Sequence, residues 1–236
     1  MPRKYLAFDI ETAKSVPGTD FNWKPHRPLG ICCAAALACD AREAVLWHGK
    51  ESGGSPARQL SPAEAREVVG RLSDWVADGY TLLTWNGLGF DLNILAEESA
   101  LLSECRQLAL QHVDAMFHVF CALGYPVGLE KAAQALKIPG KPPGMSGELA
   151  PQLWEQGRHQ EVLRYVAQDV RMTLQVAQKS EERLRFDWLT RRGTSSSMAL
   201  PQGWLPVGAA AKLPLPDTSW MTHPIPRTEF TAWLGI

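Results

Sequence analysis

The sequence predicts an α/β fold built on a mixed β-sheet. Three observations point there. Three apolar strand-like segments come early, a fourth ends in a glycine-broken turn, and amphipathic helical stretches follow it.

The first strand covers roughly Lys4 to Ile10, ahead of a loop containing Pro17, Gly18, Trp23, Pro25 and Pro28. Gly30 to Ala38 and Ala44 to Trp47 read as an antiparallel hairpin around Asp40-Ala41-Arg42-Glu43. Ser61-Pro62-Ala63-Glu64 is a helix start, with Ser at the N-cap, Pro at the first helical position and Glu at the third. That helix keeps Val68, Val69, Leu72, Trp75 and Val76 on one face and ends near Gly79. Thr81 to Trp85 is a short apolar strand broken by Asn86-Gly87-Leu88-Gly89, and a helix opens near Asp91. Further helices are expected over Ala115 to Leu123, Leu129 to Leu136, Pro151 to Gly157 and His159 to Arg183. Pro139-Gly140-Lys141-Pro142-Pro143-Gly144 is a rigid loop among them. From about Leu189 the composition turns to Ser, Pro, Gly and Trp without a helical period. Trp204, Leu205, Trp220 and Trp233 imply that this tail packs somewhere.

At 236 residues and 45% hydrophobic content the chain can bury a full core. Its 24 basic and 25 acidic residues give a formal net charge of -1. That balance excludes non-specific adhesion of the whole surface to nucleic acid but leaves room for a local basic cleft. No apolar run is long enough to span a bilayer, and Met1-Pro2-Arg3-Lys4 leads into a strand rather than an apolar signal segment. A cytoplasmic protein with no membrane partner is the expectation. The odd cysteine count and the lack of any zinc-ligand spacing make Cys32, Cys33, Cys39, Cys105 and Cys121 reduced thiols without function.

The chemistry lies in acids set at awkward positions. In a strand, residues two apart share a face, so Asp9 and Glu11 project together with Tyr5 and Ala7, while Leu6, Phe8 and Ile10 point the other way. Side-by-side carboxylates repel each other unless a cation compensates. Asp91 follows a strand and the turn Asn86-Gly87-Leu88-Gly89, where it caps a helix or carries chemistry. Asp169 falls within the apolar stripe Val162, Val166, Val170, Thr173, Val176 and Ala177, with Tyr165 one turn earlier on the same face. A buried Asp there is costly unless paired or bound to metal.

Taken in order, D-x-E on the first strand, N-G-x-x-F-D at a strand-to-helix turn and Y-x-x-x-D on a late helix resemble the DEDD-superfamily 3′–5′ exonucleases. The subtype resembled is the one with tyrosine in its third motif (DEDDy), on a DnaQ-like, ribonuclease H-like fold. The resemblance spans roughly Lys4 to Arg183. It implies a mixed sheet flanked by helices and an exonuclease domain over residues 1–188; the tail has no counterpart in the motifs, and its composition reads as an irregular Trp/Pro-rich extension over 189–236 packed on the domain or on a partner.

The resemblance further implies Asp9, Glu11, Asp91 and Asp169 as ligands of two Mg²⁺ or Mn²⁺ ions, hard cations suited to oxygen donors. Asp9 would bridge both ions, Glu11 and Asp169 would hold the one that activates water, and Asp91 would support the other. Tyr165 would orient the attacking water, since a phenol is a poor base at neutral pH. The implied substrates are single-stranded DNA or RNA 3′ ends, released as 5′-mononucleotides.

The candidate substrate contacts are Thr12, whose backbone with that of Ala13 could meet the terminal nucleotide; Trp85, Phe90 and Leu88, which stack on bases or simply pack in the core; and Asn86, which contacts substrate or merely sets the turn. Lys14, Lys24, Arg27, Lys137 and Lys141 lie in or beside loops, where a solvated charge is the simpler reading and a phosphate contact the alternative. Asp114 reads as a helix N-cap with a supporting role at the site as the alternative, and His112 precedes the same helix. Two other readings stay open: a ribonuclease H-like endonuclease, and a binding module with a decayed site that holds nucleic acid or docks a partner or second copy through the tail.

Overall fold

The computed structural model describes residues 3–16, 22–141 and 144–235. The expected turns at Pro17-Gly18 and Pro142-Pro143 lie outside these residues. The main sheet has five strands in the order β3-β2-β1-β4-β5: β1 Tyr5–Thr12, β2 Ile31–Ala38, β3 Val45–His48, β4 Thr81–Thr84 and β5 Val113–Asp114. β1 pairs antiparallel with β2, and β2 with β3, whereas β4 runs parallel to both β1 and β5. The expected α/β fold with a mixed sheet is therefore what the chain adopts.

β1 is central because it is buried on both faces. Tyr5 and Ala7 enter one core beneath α7 (His159–Glu182), together with α5 (Leu129–Ala135) and α6 (Ala150–Glu155). Leu6, Phe8 and Ile10 enter the other, covered by α1 (Pro62–Ala77), α2 (Asp91–Ser99), α3 (Leu102–Gln111) and α4 (Ala115–Leu123). The alternation expected of β1 is thus realised, and it sends Asp9 and Glu11 toward the α7 side. Between Glu11 and Thr12 the register with β2 slips, from Glu11 opposite Cys33 to Thr12 opposite Ile31. This bulge explains why the consecutive Cys32 and Cys33 are both buried in the α7-side core. All five cysteines are free.

α1 begins as its sequence requires: Ser61 accepts from the Glu64 amide, and the Glu64 carboxylate accepts from the Ser61 amide at 2.7 Å. α3, β5 and the hairpin of β6 (Arg185–Leu189) with β7 (Ser195–Ala199) have no counterpart in the sequence reading. β5 is only two residues long, and Ser195-Ser196-Ser197 has weak strand propensity, so neither carries a local signal. The expected boundary at 188/189 falls inside β6. Among the described residues, no helix is long and apolar enough to cross a membrane.

The C-terminal segment is irregular, with two short helices, α8 (Val207–Ala210) and α9 (Thr228–Thr231), and it packs back on the domain. Trp204 is fully buried, and its indole donates to Ala177 O at 3.0 Å. Trp233 donates to Leu88 O at 2.8 Å, and Phe230 lies against Phe117 and Phe120. Trp220 is left largely exposed, at 67%, with one face-to-edge ring contact to Tyr125. The Arg227 guanidinium donates to the carbonyls of Ala211, Leu213, Pro214 and Cys121, the last near the C-terminal end of α4. Removing it strands four carbonyls at once, so Arg227→Ala is expected to lower unfolding stability by roughly 3 kcal/mol in urea denaturation. A loss below about 0.5 kcal/mol would show that the segment is held by its aromatic contacts alone.

Candidate active site

The site forms where the sheet splits. β1 and β4 stay in register from Tyr5–Thr81 to Ala7–Leu83, and β4 ends at Thr84. Beyond that point Ile10 has no β4 neighbour, and its amide donates instead to Asp91 Oδ1 at 2.9 Å. A side chain thus replaces a strand, and a crevice opens at the carboxyl ends of β1 and β4, the usual place for a site in an open α/β sheet. Asp9, Glu11, Asp91, Tyr165 and Asp169 all line this crevice, which encloses about 450 Å³. The three sequence motifs therefore meet in one place. One carboxylate oxygen from each of Asp9, Glu11 and Asp169 lies within 4.8 Å of the others. Asp91 stands next to this trio, tied to β1 through Ile10.

The electrostatics follow from burial. Asp9 is pushed well above the ordinary carboxylate range, first by burial and then by Asp91, Asp169 and Glu11. Glu11 is raised likewise, by burial and then by its neighbours Cys32 and Asp169. Asp169 is raised by burial and held back by Lys141. Burial raises Asp91 to about 7, with the Ile10 hydrogen bond opposing. Burial and the charges of Glu11, Asp169 and Asp9 push the Tyr165 phenol up, so it stays protonated at neutral pH.

Lys141 corrects the sequence reading. It is not a solvated loop charge: its ammonium donates to Asp169 Oδ2 at 2.7 Å and to Tyr165 Oη, and lies 4.7 Å from the Tyr165 ring centre. The loop is held for this by Glu130, which accepts from the Lys141 amide, and by Gln168, which donates to Pro139 O. Nothing local in Gly140-Lys141 marks the role; it depends on α5 and α7 meeting this loop. Three of the other basic candidates are engaged elsewhere. Lys24 pairs with Glu229, Arg27 with Glu97, and Lys14 donates to His26 O.

The turn ahead of Asp91 is fixed by Asp114. Its carboxylate caps α4 by accepting from Phe117 N, and it also accepts from Asn86 N at 3.0 Å and Leu88 N at 2.8 Å. Asn86 takes the left-handed region, φ 74°, which asparagine tolerates. A Cβ on Gly89 would meet Asn86 Oδ1 at 2.7 Å and Phe230 at 2.9 Å, so the tail's packing requires glycine there. His112 is buried away from the crevice, bonded to Ala109 O and Thr84 Oγ1. Asp114 is the N-cap expected, and the same carboxylate also holds the turn ahead of Asp91.

Of the candidate substrate contacts, Trp85, Asn86 and Phe90 line the crevice. Trp85 is fixed by donation to Val127 O at 3.0 Å, and Phe90 meets Trp23 edge-on at 5.5 Å. Thr12 is set apart: it is buried, and its hydroxyl donates to Lys14 O. Leu88 is fully buried in the core.

A family model for the RNase H superfamily matches residues 44–180, more than half of the chain. The chain belongs to the RNase H superfamily, and the mixed sheet flanked by helices is its RNase H-like fold. The match takes in Asp91, Tyr165 and Asp169 and begins after β1. The structure is similar to that of the family B DNA polymerase from the hyperthermophilic archaeon Pyrobaculum calidifontis, at a TM-score of 0.55 and 20% identity. The similarity covers 76% of this chain and 25% of the polymerase chain, so the protein corresponds to a quarter of the polymerase's length. No curated protein matches the sequence.

The raised carboxyls give the metal-free protein a defined pH dependence. Asp91 moves from 3.8 unfolded to about 7 folded, so the folded state binds the extra proton, and that stability is lost as pH rises through about 7. In EDTA, stability referenced to Asp91→Asn is expected to fall by a few kcal/mol between about pH 4 and pH 8. Thermal melts in which wild type and variant keep a constant difference across that range would contradict the burial of this group.

Proposed function

We propose that the protein is a divalent-metal-dependent 3′–5′ exonuclease of the DEDD type with tyrosine in its third motif. It would shorten single-stranded DNA or RNA from the 3′ end to 5′-mononucleotides. The observation that carries this reading is the convergence of Asp9, Glu11, Asp91, Tyr165 and Asp169, from three distant motifs, on one crevice. Membership of the RNase H superfamily supports a phosphodiester substrate.

The donor set fits hard cations. All four acids offer oxygen, three converge, and Asp169 Oδ1 is buried with no hydrogen-bond partner among the described residues. Asp9, Glu11 and Asp169 would hold one Mg²⁺ or Mn²⁺, and Asp9 with Asp91 a second. When bound, such ions supply Lewis-acid stabilisation to the attacking and leaving oxygens of an in-line phosphoryl displacement. Tyr165 acts by position. Lys141 donates to its oxygen and the phenol is hydrogen-bonded to Asp169, so it is held beside the acids, where it would orient a nucleophilic water. Lys141 brings one positive charge to a crevice whose other charged residues are all acids, offsetting part of their repulsion before substrate enters. Trp85 and Phe90 offer ring surface to the terminal base, and Asn86 a polar edge.

The test uses 5′-labelled single-stranded DNA and RNA with Mg²⁺, Mn²⁺ or EDTA. A metal-dependent ladder shortened from the 3′ end is expected, with Asp9→Ala and Asp169→Ala each slower by roughly a thousandfold or more. Tyr165→Phe should retain metal binding, read as thermal stabilisation by Mn²⁺, and lose roughly 10- to 100-fold in kcat. Internal cuts would favour the endonuclease reading. No cleavage with any metal would favour the binding module.

A further inference from the structure

A second groove adjoins the crevice and has no assigned role. It encloses about 840 Å³ and shares Pro126, Val127 and Gly128 with the crevice wall, so the two are continuous. Its far side comes from the turn after β6, with Thr190 and Arg191, and from the C-terminal segment, with Trp220 to His223. None of this far side lies in the three acid motifs.

Its chemistry is one-sided. Lys131, Arg191 and His223 line it and no carboxylate does. Among the described residues neither Lys131 nor Arg191 forms an ion pair, whereas Lys24, Arg27 and Lys141 do. Such a patch stands out on a chain whose net charge is -1. Trp220 stands at the groove 67% exposed, unlike Trp204 and Trp233 of the same segment. It is not loose: its indole donates to Asp217 O at 3.1 Å, and its ring meets Tyr125 edge-on at 6.1 Å. The segment bearing it is seated on Gly124, where an added Cβ would come within 2.5 Å of Thr218. A rigid exposed aromatic flanked by unpaired cations is the arrangement that stacks bases and tracks phosphates without reading sequence.

We propose that this groove binds the single-stranded nucleic acid leading into the crevice, with Trp220 stacking on a base and Lys131 and Arg191 meeting backbone phosphates. The proposal rests on the nuclease reading for its occupant, yet its test reads binding rather than cleavage. The C-terminal segment then serves as part of the substrate track.

The experiment measures anisotropy of 5′-fluorescein oligothymidylate and oligouridylate on the full chain, comparing a dinucleotide with a strand of about eight nucleotides. Phosphorothioate linkages at the 3′ end block hydrolysis in Mg²⁺, and a parallel series uses EDTA. Wild type should bind the longer strand roughly tenfold or more tighter, and Trp220→Ala should abolish most of that gain. Lys131→Ala and Arg191→Ala should each flatten the plot of log affinity against log salt by about 0.7. Far-UV circular dichroism verifies that these exposed positions leave the fold intact. An unchanged length gain in Trp220→Ala, or no gain in wild type, would overturn the groove. Length-dependent binding without any cleavage would sink the nuclease reading and leave the groove standing; cleavage with variants that bind like wild type would do the reverse.

Discussion

Repulsion among buried carboxylates is the constraint around which the rest of this molecule is arranged. Asp9 and Glu11 are fixed by the pleat of β1, Asp169 by the face of α7, and none can move apart without breaking the central strand or the longest helix. Each acid is raised by burial and by its neighbours, so the cluster works against the fold whenever it is fully ionised. What surrounds it limits that cost. Ile10 N donates to Asp91, and Lys141 donates to Asp169. The splitting of β1 from β4 provides the first of these and the crevice together, because the amide that loses its strand partner is the one the carboxylate takes.

Support for the site extends well beyond the acids. Asp114 fastens the turn before Asp91 by accepting two of its amides while capping α4. The C-terminal segment reaches the same turn from outside, through Trp233 on Leu88 O and Phe230 against Gly89. Arg227 holds that segment to the end of α4. The position of Asp91 therefore depends on residues more than a hundred positions downstream. The segment that braces the turn also carries Trp220 to the neighbouring groove, so one stretch of chain shapes both the crevice's surroundings and the groove beside it.

Much of the site was legible because its signals are local in period. Asp9 and Glu11 share a face by the twofold repeat of a strand, and Tyr165 and Asp169 by the i, i+4 spacing of a helix, so each pair follows from sequence alone. The capping box at Ser61 and the apolar stripe of α7 are equally local. Lys141 was misread because its loop has no period, and its direction is set by contacts from Glu130 and Gln168. β5 escapes detection because two residues carry no pattern, α3 because no side chain caps its start, and the β6–β7 hairpin because the serine run of β7 has weak strand propensity despite Gly193 in its turn. Thr12 follows the acid pair directly, and past the bulge after Glu11 its hydroxyl donates to Lys14 O, a contact no local pattern foretells.

Which side chains share a face is written in the residue order alone: the acid pair on β1, the Tyr–Asp pair on α7, and the apolar stripes that bury the opposite sides. Periodicity within one element settles those, since backbone geometry repeats over two or 3.6 residues whatever lies outside it. Only the tertiary structure decided that the three motifs meet, that Lys141 enters their midst, and that Trp204 and Trp233 are packed while Trp220 is left exposed. Those outcomes depend on where a strand stops pairing and on which distant segments come to rest against one another, and no local repeat encodes either.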